Sequence, residues 1–71
     1  MEYIIRFTWD SDACVWIATS DDIPGLVLES GSFDALTEKV RYAIPELLEL
    51  NNLSKARNIL FVSERREKVI A

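Results

Sequence analysis

The chain has 71 residues, a single-domain length near the lower limit of independent folding, and its 49% of apolar residues is too high for a disordered segment. It has no histidine and one cysteine, Cys14, which excludes an internal disulfide, a zinc staple and the common Ser–His and Cys–His nucleophile pairs. The net charge of −4 is split: ten acids oppose three bases over residues 1–50, giving −7, while five bases oppose two acids over 51–71, giving +3.

Glu2 to Trp9 alternates, with Tyr3, Ile5, Phe7 and Trp9 on one face, which is strand periodicity. Asp10-Ser11-Asp12 supplies turn residues, and alternation resumes from Ala13 to Ser20, so a hairpin is expected. In that register Cys14 is a small buried hydrophobe between Ala13 and Val15. Pro24-Gly25 fits the two central positions of a type II turn, leading into a short third strand, Leu26 to Glu29.

Ser32 is a candidate N-cap with Asp34 in the first turn behind it. Phe33, Leu36, Val40, Ala43, Ile44, Leu47 and Leu50 then recur at helical spacing. Pro45 interrupts that pattern; it lacks an N–H and its ring crowds the Arg41 carbonyl, so a kink or a split into two helices is expected. Asn51-Asn52 suits the helix end. Ile59-Leu60-Phe61-Val62 is an apolar run of strand length, and Val69-Ile70 either extends it past a bulge or frays. The expected fold class is α+β in the order β-β-β-α-β. It has an antiparallel three-stranded meander, a fourth strand parallel to the first, and the helix on one face, all in a single domain spanning 1–71.

The aspartates invite a two-metal nuclease reading, but a meander places Asp10 and Asp12 at one end of the sheet and Asp21 and Asp22 at the other. Turn chemistry accounts for them better, and no catalytic, cofactor or metal residue is assigned. Trp9 and Trp16 are expected to pack rather than to stack on bases, because an acidic body repels a phosphate backbone and nucleic acid is not an expected ligand. A basic protein is attracted by such a surface, and Asp21, Asp22, Glu29, Glu38 and Glu46 are the candidate partner contacts. A core of this size supplies only about 3–5 kcal/mol, so a homo-oligomer is also expected. The sequence starts without a basic n-region and lacks an apolar run of ~20 residues, so neither secretion nor a membrane is expected, and a cytoplasmic location follows.

The stretch Val15 to Leu50 resembles the N-terminal domain of HicB-type antitoxins. The likeness lies in its Ile23-Pro24-Gly25-Leu26 turn, its Glu29-Ser30-Gly31-Ser32 step and the amphipathic helix that opens Phe33-Asp34-Ala35-Leu36. The resemblance implies a partial RNase H-like fold and a partner of a particular kind, a small basic HicA-type toxin that cleaves mRNA. Many members of that family add a C-terminal DNA-binding domain. About twenty residues follow the helix here and read as a strand and tail, so transcriptional repression is not expected. Two alternatives stay open: a self-associating structural or small-molecule-binding module without a toxin, and a vestigial RNase H-like nuclease.

Overall fold

A computed structural model describes residues 2–70. The elements are β1 (Tyr3–Asp10), β2 (Val15–Thr19), β3 (Val27–Ser30), α1 (Phe33–Leu50) and β4 (Ile59–Glu64). They form one four-stranded sheet in the order β3-β2-β1-β4. β1 pairs antiparallel with β2 and parallel with β4, and β2 pairs antiparallel with β3. The sheet therefore has the expected mixed topology, with α1 carrying the chain from one edge strand to the other.

Period-two alternation directs Tyr3, Ile5 and Phe7 of β1 and Ala18 of β2 toward the helix, where all four are buried. The helix answers with Leu36, Val40, Ile44 and Leu48, a strict four-residue repeat, while Leu50 is 71% exposed. Leu50 was expected on the core face. It lies six residues beyond Ile44, about 120° away around the helix at 3.6 residues per turn, and Leu48 takes the last core position. Ile23 and Leu26, on either side of the Pro24-Gly25 turn, complete the core from the loop.

Three local devices fix the helix and its neighbours. Ser32 accepts a hydrogen bond from the Ala35 N–H at 3.2 Å, the N-cap geometry expected of it. At the other end Asn52 adopts φ 53°, the Leu53 N–H donates to the Leu48 carbonyl at 2.8 Å, and the Asn52 N–H donates to Glu49 at 3.2 Å. These two bonds make a Schellman motif with asparagine in the left-handed position. The Asn51 amide then donates to the carbonyls of Leu47 and Pro24, tying the helix end to the turn before β3. In that turn the Leu26 N–H donates to the Ile23 carbonyl at 3.3 Å and Gly25 has φ 87°, as a type II turn requires.

Further expectations are settled or corrected by the structure. Of the two outcomes expected at Pro45, the split does not occur: the helix runs unbroken from Phe33 to Leu50. Pro45 and Arg41 are both exposed, so water can reach the Arg41 carbonyl that has lost its donor. Cys14 is neither buried nor in β2; it is exposed in the hairpin turn with φ 54°, and its thiol donates to the Ser11 carbonyl at 3.6 Å. β3 starts at Val27 rather than Leu26, because Leu26 is held in the turn and buried. β4 runs two residues past Val62 to Glu64, and of the two outcomes expected for Val69-Ile70 the extension past a bulge does not occur: the pair is 95% and 96% exposed.

Candidate interaction surface

The five acidic candidates do not converge. Asp21 and Asp22 lie in the loop between β2 and β3, Glu38 and Glu46 on the solvent side of α1, and Glu29 on β3. Leu28 packs against the core, so alternation turns Glu29 to the opposite side of the sheet from the helix. Glu38 is ion-paired with Arg41 at 2.9 Å, one turn away on an exposed face.

Asp22 has a structural task. β2 stops at Thr19, opposite Arg6, which leaves the first residues of β1 without a strand on that side. The Ser20 hydroxyl donates to the Ile4 carbonyl at 2.6 Å, and the Asp22 carboxylate accepts the Ile4 N–H at 2.7 Å. Two side chains thus continue the ladder after the backbone has turned away. The Ser20 oxygen also accepts the N–H groups of Asp22 and Ile23. Asp10 is similarly occupied, its carboxylate accepting the N–H groups of Asp12 and Ala13 at the hairpin turn. Among the described residues no cluster of three or more carboxylate, cysteine or histidine groups could hold a metal ion. Of the aspartates that invited a nuclease reading, Asp10 is a turn residue and Asp22 a ladder residue.

The sheet's free face is mixed in character. Its cross-strand rows read Ile4 and Leu60, then Val27, Thr19, Arg6 and Val62, then Glu29, Ile17, Thr8 and Glu64, then Val15 and Asp10, with Arg6 and Glu64 paired at 3.5 Å. A face of this composition is compatible with water.

The β4 edge is different, and no sequence motif singled it out. The helix lies over β2 and β3, and none of its Cα atoms comes within 8 Å of one in β4. Ile59 and Phe61, on the helix side, are consequently 40% and 38% exposed, and Leu60, on the free face, is 42% exposed. One outer border of the sheet is thus six residues long, apolar over its first four, with its one charge, Glu64, at the end, and without lysine or proline, features by which edge strands ordinarily discourage further pairing. The opposite border, β3, is four residues long and carries Glu29.

β4 is fastened on its inner side. Phe61 packs edge-on against Phe7, ring centroids 5.3 Å apart, and Phe7 packs against Phe33 at 5.1 Å. Trp16 continues the aromatic row against Phe33 at 5.0 Å and against Trp9 at 5.5 Å. The tryptophans therefore pack among other rings, as their alternation suggested. Tyr3 donates its hydroxyl to the Ser54 carbonyl at 2.7 Å and its N–H to Asn58 at 3.0 Å, holding the approach to β4. Beyond Glu64, the Arg65 guanidinium stacks 4.5 Å over the Trp9 ring. From there Arg66 to Ile70 run on as an exposed arm, and its first residues, to Lys68, line an open groove with Thr8, Trp9, Ser11 and Ser63.

Residues 2–70 match the family described as a domain of unknown function, DUF1902. The chain belongs to the DUF1902 family. No curated protein matches it. Among solved structures, this DUF1902 chain is similar to the hypothetical protein TTHA1013 from the extremely thermophilic bacterium Thermus thermophilus. The two share 31% identity over the full length of both chains, with a TM-score of 0.77. No helix among the described residues of this DUF1902 domain is long and apolar enough to cross a membrane.

Proposed function

We propose that this DUF1902 chain is a non-catalytic protein-interaction domain of the HicB-like kind, which binds and neutralises a small basic toxin. The observation that carries the reading is the segregation of charge. Asp21, Asp34 and Glu46 are exposed and form no ion pair among the described residues, while five of the chain's eight lysines and arginines lie beyond α1. Such a surface attracts a basic partner at long range and repels phosphate. Asp21, Glu38 and Glu46, on the loop and the outward helix face, are the contacts proposed to meet it; Asp22 contributes by holding the loop in place. Glu29, on the far face, belongs to a separate part of the surface.

A partner recognised this way binds faster and more selectively because of charge, and its association weakens as salt rises. The test is affinity purification of the tagged chain from its native cells at low salt. It is followed by identification of the stoichiometric companion and assay of that companion's RNA cleavage with and without this chain. A small basic ribonuclease, inhibited by the chain and released by salt or by D21K/E46K, is the expected result. A companion that is acidic, or an association equally strong at low and high salt, would refute the reading.

A further inference from the structure

The β4 edge and the arm that follows it are not explained by binding through the acidic surface, which lies elsewhere on the molecule. We propose that they form the interface of a two-fold dimer, in which β4 pairs antiparallel with β4 of a second copy. The two sheets become one continuous eight-stranded sheet, and both helices lie on the same side.

Surface area identifies the occupant. A folded monomer of 8.1 kDa exposes about 4,500 Å² by the usual scaling of area with mass. This chain exposes 5322 Å², an excess of roughly 800 Å², which is about what one partner contributes to a standard stable interface. The excess has a visible source: the chain measures 49 × 21 × 17 Å, and its radius of gyration is 13.4 Å where about 11 Å is expected for this length. Val69 and Ile70 cap the arm with apolar side chains that touch almost nothing of their own chain. An interface built from one surface patch, self-complementary about a two-fold axis, also closes on itself, which a pairing of β4 with the shorter β3 edge would not.

The register follows from side-chain direction. A two-fold axis perpendicular to the sheet keeps each face on its own side, so residues directly opposite must share a face. Centring the pair on Phe61 places Phe61 against its own copy on the helix side and Leu60 against Val62 of the second copy on the other. Of the four apolar residues of the edge, all but Ile59, which meets Ser63, then have an apolar partner. The arm follows β4 directly, and Val69 and Ile70, 95% and 96% exposed, add further apolar surface for the second copy to cover.

The experiment is light-scattering mass of the full chain across about 1–100 µM, with far-UV circular dichroism of each variant. The expected mass is twice 8.1 kDa. L60K sets a lysine against Val62 at two places in the interface. V69D/I70D alters only side chains that the monomer leaves in solvent, so it keeps the fold even if L60K does not. Each is expected to raise the dissociation constant about tenfold or more. An 8.1 kDa species at every concentration would overturn the proposal. So would an oligomer that V69D/I70D and L60K both leave intact.

Discussion

Phe7→Leu tests how β4 and the helix are joined through the sheet. Phe7 has no exposed surface, and its ring touches Phe33 of α1 on one side and Phe61 of β4 on the other, at 5.1 and 5.3 Å. Loss of the ring's extra volume costs ~1–2 kcal/mol in transfer and cavity energy. The two ring pairs add about 0.5–1.5 kcal/mol each, and because both depend on one side chain the sum is not fully additive. A total of about 2–3 kcal/mol is expected, against a whole-domain stability on the order of 3–5 kcal/mol. For a domain of this size that lowers the urea midpoint by roughly 2 M and the melting temperature by roughly 10–20 °C. The assay is equilibrium urea denaturation at one fixed protein concentration, since any association would shift the apparent stability. Phe61→Leu and the double variant complete a cycle in which the Phe7–Phe61 coupling should be about 0.5–1.5 kcal/mol. Val27→Ala, at a 70% exposed position on the opposite edge, should stay within ~0.5 kcal/mol of the parent. A loss below ~1 kcal/mol in Phe7→Leu, or zero coupling in the cycle, would refute the claim that the aromatic row fastens β4.

Two further substitutions probe the backbone. Pro45→Ala restores an N–H to the middle of an 18-residue helix; of the ~3 kcal/mol by which proline is the poorer helix residue, part is offset by its stiffening of the unfolded chain. A stabilisation of about 1–2 kcal/mol is expected in thermal melts, and an unchanged or lower melting temperature would show that the exposed helix face has fully accommodated the ring. Gly25→Ala must hold a Cβ at φ 87° and is expected to lose about 1–2 kcal/mol. The added carbon would stand 3.4 Å from Leu47 Cδ2, an ordinary contact, so conformation and not crowding sets the loss. Gly25→Asn should lose less, since asparagine tolerates positive φ; equal losses in denaturant would refute that assignment.

Much of the fold is written in local sequence. The alternation of Tyr3, Ile5, Phe7 and Trp9, the Pro24-Gly25 turn, the Ser32 cap and the Asn51-Asn52 stop each depend on residues close together in the chain. Their signals therefore survive without knowledge of the rest of the molecule. Cys14 misled because alternation continues in the sequence through Ala13 and Cys14, whereas the backbone is still turning there with φ 54°. Leu50 misled because its apolar character was given more weight than its spacing, which sets it about 120° around the helix from Ile44. It was the exposure of Pro45 and Arg41, a tertiary property, that let the helix pass through proline.

The surfaces were less legible than the elements, for the same reason. Composition and order revealed an acidic body, a basic tail and a β-β-β-α-β chain. They could not show that Asp22 completes a ladder at Ile4, eighteen residues away, or that Glu29 faces away from Glu38. Nor could they show that the helix would settle over β2 and β3, leaving Ile59 and Phe61 half-covered at an open edge. An apolar run has one appearance in sequence whether it is buried or bare. Only the placement of a single helix over a four-stranded sheet, too narrow to cover it all, decided which strand was left to meet something else.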